Sequence, residues 1–178
     1  MSVVERTKLR KLPRRRMDGD ALAQELRSLE ADGYRVLSNT RSRDDSIDHI
    51  VVGPTGVFTV ERNDWTGRFH LRRDGWFQHS KHDAGIVVWH ANQHVMAVKG
   101  RLHSMGLRVP VHGVVAVTAG RVDEGAIDMG RVLFLRASEV PAYIRSRHRA
   151  LDDGKVDLVA RAILRGGVPT GPGPRAST

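Results

Sequence analysis

Hydrophobic and polar positions along the chain divide it into segments of two different periods. Two β-rich runs, Ile47 to Val52 and Val57 to Arg62, flank Gly53-Pro54-Thr55-Gly56. Pro presets φ at the second position of a turn and Gly accepts positive φ, so the stretch predicts a β-hairpin. With a plain two-residue loop, Gly53 faces Gly56 and Asp48 faces Glu61 across the strands. With Gly56 as the αL residue of a bulged three-residue loop, the pairing moves by one. Upstream, Leu22, Leu26 and Leu29 recur at helical spacing between Asp18, a candidate N-cap, and Ala31, with Gly33 as the stop. Tyr34 to Ser38 reads as a short strand and Asn39 to Ser46 as a polar loop containing Arg41, Arg43, Asp44 and Asp45.

Downstream, Arg68 to Arg72 and Gly75 to His79 predict a second hairpin across Arg73-Asp74, with Trp76 and Phe77 on opposite faces. A helix follows from about Val87 to Met105. Val109 to Thr118 reads as a buried strand, and Arg131 to Leu135 as another. Ser138 is placed as the cap of a helix reaching about Arg147, and Val156 to Leu164 as a last amphipathic helix ended by Gly166-Gly167. The order of elements implies an α/β (α+β) domain, a mixed β-sheet flanked by helices. The 178 residues, 40% hydrophobic, suffice for one core. Expected boundaries are a basic flexible arm over 1–17, a single domain over 18–167 and a disordered tail over 168–178.

Charge changes this picture at the amino end. Residues 1–16 hold Arg6, Lys8, Arg10, Lys11, Arg14, Arg15 and Arg16 against Glu5, a net of +6, leaving +3 for the rest of a +9 chain. Such an arm on a mildly basic body suits a polyanion, since each phosphate contact releases counterions; a solvated leader is the alternative. Arg68, Arg72 and Arg73, interleaved with Trp76 and Phe77, are further candidates for nucleic-acid contact, or else decorate an edge hairpin. The chain has no 18-residue apolar run and a charged amino terminus, so a cytoplasmic protein without membrane partners is expected. It has no Cys, which excludes disulfides and thiolate-bound zinc.

The facing acids Asp48 and Glu61 raise a chemical question. Opposed carboxylates repel unless a cation lies between them, and hard cations take oxygen ligands. The alternative is an ordinary hairpin with two solvated acids. His90 and His94, at i and i+4, also have metal-ligand spacing, but they lack the Glu of a His-Glu-x-x-His motif and are expected to be solvated.

Asp48-His49-Ile50-Val51-Val52-Gly53-Pro54-Thr55-Gly56-Val57-Phe58, the strand ending in Glu61, and Trp65-Thr66-Gly67 together resemble the nuclease-related domain (NERD) family of the PD-(D/E)XK nuclease superfamily. The likeness spans roughly Asp18 to Leu135. It implies a restriction-endonuclease-like fold and a Mg²⁺- or Mn²⁺-dependent hydrolase acting on DNA, with Asp48 and Glu61 as metal ligands. Gly19-Asp20 matches an acidic position near the first helix, which makes Asp20 a further implied ligand. Gln93 corresponds to a substrate- or water-positioning glutamine. Asn63 stands where the family has its Lys, so the resemblance implies weak or absent cleavage. A non-catalytic nucleic-acid-binding module and a basic scaffold domain are the other readings.

Overall fold

The computed structural model describes residues 21–41, 46–80, 82–123 and 125–166. In chain order the elements are α1 (Ala21–Arg27), β1 (Arg35–Arg41), β2 (Ser46–Gly53), β3 (Gly56–Asn63), β4 (Arg68–Leu71), β5 (Phe77–His79) and β6 (His82–Asp83). They continue with α2 (Gly85–Ser104), β7 (Val111–Val117), β8 (Arg121–Val122), β9 (Ala126–Asp128), β10 (Val132–Arg136), α3 (Val140–Ser146) and α4 (Asp153–Gly166). The arm, the tip 42–45 and the tail fall outside the described residues.

The central hairpin forms with the two-residue loop: Gly53 faces Gly56, and the antiparallel ladder runs to His49 opposite Val60. Its turn is anchored to distant segments. Pro54 O accepts the N–H groups of Ala150 and Leu151 at 2.7 and 2.9 Å. The buried Thr55 hydroxyl donates to Ile144 O at 2.9 Å and lies 2.9 Å from the Tyr34 hydroxyl. Around this hairpin a six-stranded sheet assembles in the order β1-β2-β3-β7-β10-β9. The β1–β2–β3 meander is antiparallel, β3–β7 and β7–β10 are parallel, and β9 closes the edge antiparallel to β10. This is the mixed sheet flanked by helices that the pattern of elements predicts.

Alternation along the strands sends side chains to two cores. Ile50, Val52 and Val57 pack against Val98 and Leu102 of α2 and Val156, Val159 and Ile163 of α4. The intervening Val51, Phe58 and Val60 meet Leu22 and Leu26 of α1 and Val140 and Ile144 of α3. Each such buried aliphatic side chain contributes about 2 kcal/mol of transfer free energy. A four-stranded sheet, β6-β5-β4-β8, builds a third cluster in which Phe69 and Phe77 pack on Val115, Val117 and Phe134. The two- and three-residue strands β6, β8 and β9 have no counterpart in the sequence pattern. No helix among the described residues is long and apolar enough to cross a membrane.

Three boundaries differ from expectation. The polar segment beginning at Asn39 is not all loop: β1 runs to Arg41, pairing Thr40 with Ile47 and Arg41 with Ser46. As an edge strand it can carry polar side chains without burying them. Ser138 caps no helix but lies inside a 3-10 turn, Ala137–Glu139, where Glu139 Oε2 accepts the Arg136 N–H at 3.4 Å. The last helix starts early, at Asp153, because the Asp152 carboxylate accepts the Lys155 N–H at 2.9 Å. Gly33 ends the first helical segment as expected, with φ of 83° after a 3-10 turn.

Candidate functional site

At the open end of the central hairpin both ladders of β2 change character. Continued by one residue, the register that pairs His49 with Val60 would set Asp48 opposite Glu61, although the ladder itself stops at His49–Val60. There the Asp48 side chain takes over from the backbone, its Oδ2 accepting the Arg62 N–H at 3.0 Å. On the other side, β1 pairs with β2 at Ser38–His49 and Thr40–Ile47 but not between them. The residue between, Asn39, has a left-handed φ of 52°. An irregularity of this kind re-aims side chains, and the alternation of β2 is broken here: Ile47 joins the same core cluster as Ile50 and Val52. Asp48 therefore sits where the β2–β3 ladder ends rather than in a uniform ladder.

Glu61 is held from above by the long helix α2. His94 Nδ1 lies 2.7 Å from Glu61 Oε1, and the side chains are 7% and 17% exposed respectively. A carboxylate accepts only, so the proton of this bond resides on Nδ1. The expectation of solvated helix histidines is thus corrected for His94, whereas His90 is exposed. A signal was present in the sequence: Ala91, His94, Val98 and Leu102 are buried along one stripe of α2, so His94 belongs to the face that meets the sheet. Gln93 is half-buried, about 100° round the helix from His94.

Asn63 shares the strand face of Glu61 by alternation and is buried, 8% exposed. Its Oδ1 accepts the Trp65 N–H at 3.1 Å, and its backbone oxygen accepts the N–H and hydroxyl of Thr118 at 2.9 and 3.1 Å. The side chain closes an Asx-type turn at the end of β3. On the same face, two residues before Glu61, Thr59 Oγ1 is buried without a hydrogen-bond partner among the described residues.

Comparison with models of protein families matches residues 18–118 to the nuclease-related domain. The chain belongs to this family. No curated protein and no solved structure matches it. Within this nuclease-related domain the matched segment runs from before α1 through β7 and so contains Asp48, Glu61, Asn63 and Gln93.

The donor set suits a small hard cation. Mg²⁺ takes one or two carboxylates, keeps several waters and shares substrate phosphates, so a dedicated cage is unnecessary. Among the described residues no three His, Cys, Asp or Glu side chains gather around one point. Asp48 and Glu61 would supply the two carboxylates, one from each strand of the hairpin. Each carboxylate accepts from a protein donor, Arg62 N–H or His94, as ligating carboxylates commonly do. The orphaned Thr59 hydroxyl adds a polar atom on the same face. Asp20 and the arm residues Arg14, Arg15 and Arg16 lie outside the described residues.

The second hairpin uses its arginines differently. Arg68 grips Asp123 with three contacts of 2.7 to 3.0 Å, and Arg72 pairs with Asp74 at 2.8 Å. The Arg68 guanidinium holds the Asp123 carboxyl below the usual carboxylate range, and the carboxylate in turn raises Arg68. Arg73 and Trp76 are exposed at the turn, while Phe77 points into the core, so the two aromatics do lie on opposite sides. Beyond the end of β3, a cavity of about 300 Å³ opens between α1 and the ends of β7 and β10, with Glu25, Thr118, Arg136 and Ser138 on its walls.

Proposed function

We propose that this nuclease-related domain binds nucleic acid, DNA first among them, and carries a phosphodiester-hydrolysis site weakened at one position. The observations that support this reading are two: the Arg62 N–H donates to Asp48 at the end of the hairpin, and His94 holds Glu61 on the neighbouring strand. Asp48 and Glu61 would hold Mg²⁺ or Mn²⁺, with Asp20 a further candidate ligand. When bound, such an ion lowers the pKa of a coordinated water and stabilises charge on the phosphoryl oxygens.

The remaining roles belong to the protein. His94 keeps the Glu61 carboxylate in one orientation, and the Arg62 N–H does the same for Asp48. Gln93, which the family resemblance offers for positioning substrate or water, lies about 100° round α2 from His94, off the face that meets Glu61, and is not among the residues proposed to act. Asn63 supplies a neutral amide where the family has an ammonium, and its Oδ1 is committed to Trp65. Loss of one preorganised electrostatic donor costs about 3 to 4 kcal/mol, or two to three orders of magnitude in rate. Arg62, next in sequence, points to the opposite strand face and is no simple replacement. The arm, with Arg14, Arg15 and Arg16, and the exposed Arg73 are proposed as phosphate contacts; Arg68 and Arg72 would have to leave an acid to serve.

The test is plasmid digestion with Mg²⁺ and with Mn²⁺ by the natural protein, Asn63→Lys and Glu61→Ala. Faint cleavage by the natural protein, a rise in Asn63→Lys and none in Glu61→Ala is the expected result. Retained DNA binding without cleavage in any variant favours a non-catalytic binding module. Strong natural cleavage that Asn63→Lys leaves unchanged means another residue fills the Lys role.

A further inference from the structure

One helix carries two apolar faces, and the fold uses only one. The stripe Ala91, Val95, Val98 and Leu102 is buried against the sheet and α4. On the opposite side of α2, Ile86, Trp89, Gln93, Met96 and Gly100 recur at spacings of three and four. Ile86, Trp89 and Met96 are 43%, 43% and 48% exposed. Alternating three-four spacing is the seam by which one helix receives another.

We infer that this outer stripe of α2 pairs with the same stripe of a second copy, antiparallel, about a two-fold axis at Gln93. The stripe is self-complementary when reversed. With Gln93 opposite Gln93, the large Ile86 faces Gly100, where nothing lies within 4 Å of a Cβ position, and Trp89 faces the Met96–Ala97 segment. A polar residue at the centre of an apolar helix seam fixes register, and two amides can bond each other there.

Charge favours the same arrangement. The helix contains no acid, and its Lys99 and Arg101 both lie near the C-terminal end. A parallel pair sets these cations beside one another. An antiparallel pair sets them beside Asp83, the exposed acid that accepts the Gly85 N–H at the N-terminal end. The opposed helix dipoles add to this preference.

A single helix seam is smaller than the 1,200 to 2,000 Å² of a standard interface, so association on the order of ten micromolar is expected.

The chain has no cysteine, which gives a direct readout of register. Full-length Gln93→Cys, mildly oxidised, should form an intermolecular disulfide far faster than Arg161→Cys on the exposed side of α4. Ile86→Cys mixed with Gly100→Cys should cross-link as a heterodimer in preference to either alone. Sedimentation of the natural protein from low to high micromolar should show a monomer–dimer equilibrium, with the dissociation constant raised about tenfold or more in Trp89→Glu. A monomer at every concentration, or Gln93→Cys cross-linking no faster than Arg161→Cys, overturns the inference. So does a Trp89→Glu variant that dimerises normally but loses single-stranded oligonucleotide binding, since the stripe would then be a nucleic-acid surface.

Discussion

The two hairpins of this domain are built from similar sequence material and behave differently. The β2–β3 hairpin is enclosed: its turn is fastened to Tyr34, Ile144, Ala150 and Leu151, and its strands contribute to both main cores. The β4–β5 hairpin presents its turn, Trp76 and Arg73 to solvent and satisfies Arg68 and Arg72 with local acids. Enclosure is what permits half-buried acids. Asp48 and Glu61 keep fixed partners because the strands beneath them cannot shift, whereas the arginines of the second hairpin pair in high dielectric, where ion pairs are worth little.

Glycine substitution should separate the two most strongly. A Cβ at Gly53 would run into the buried Tyr34 ring, which is held by Thr55, so Gly53→Ala should cost about 3 kcal/mol. Gly75 in the second turn has φ of 84° and open space around it, so Gly75→Ala should cost about 1 kcal/mol from backbone conformation alone. Urea unfolding of both variants measures the contrast, and equal losses would break it.

Thr55→Val is next in size. It leaves the Tyr34 hydroxyl without its Thr55 partner in a buried setting and the Ile144 carbonyl with only the 3.4 Å bond from the Arg147 N–H, for about 2 kcal/mol by the same unfolding measurement.

The smallest effect is one of pH. His112 stacks on Phe58 of the central hairpin at 5.3 Å, and burial, helped by the Arg147 charge, lowers its pKa. The unfolded chain therefore binds more protons as pH falls through the ordinary His value, and stability falls with it. Asp123 in the second hairpin's ion pair is depressed, so its contribution is present at neutral pH and is lost only on acidification below the usual carboxylate range. Acidification from neutral to mildly acid pH should cost stability in the natural protein, and His112→Phe should flatten that slope. An unchanged slope would remove His112 from the account.

The central hairpin was legible because Gly-Pro-Thr-Gly marks its turn, but two registers remained open until the pairing of Gly53 with Gly56 decided between them. Long strands and helices were legible from their regular apolar spacing. The strands β6, β8 and β9 were not, because two or three residues cannot establish a period and are held by pairing alone. The polar half of β1 was misread as loop because an edge strand needs no apolar alternation. Within the site, the acids were visible in the hairpin itself. The Glu61–His94 contact was not, since it joins residues 33 apart through the packing of α2 on the sheet. Asn63 was singled out only through the family resemblance, and its role as a cap for the Trp65 N–H was not visible, since it depends on how β3 ends.

The claim on which the functional account rests is that Asp48 and Glu61 form a cation site. Calorimetric titration of Mn²⁺ into the full-length protein measures it directly, with melting curves to establish that each variant is folded. One Mn²⁺ site in the natural protein, abolished in both Glu61→Ala and Asp48→Asn and weakened in His94→Ala, is the predicted result. Equal Mn²⁺ binding by the natural protein and folded Glu61→Ala, or none by the natural protein, would contradict the account.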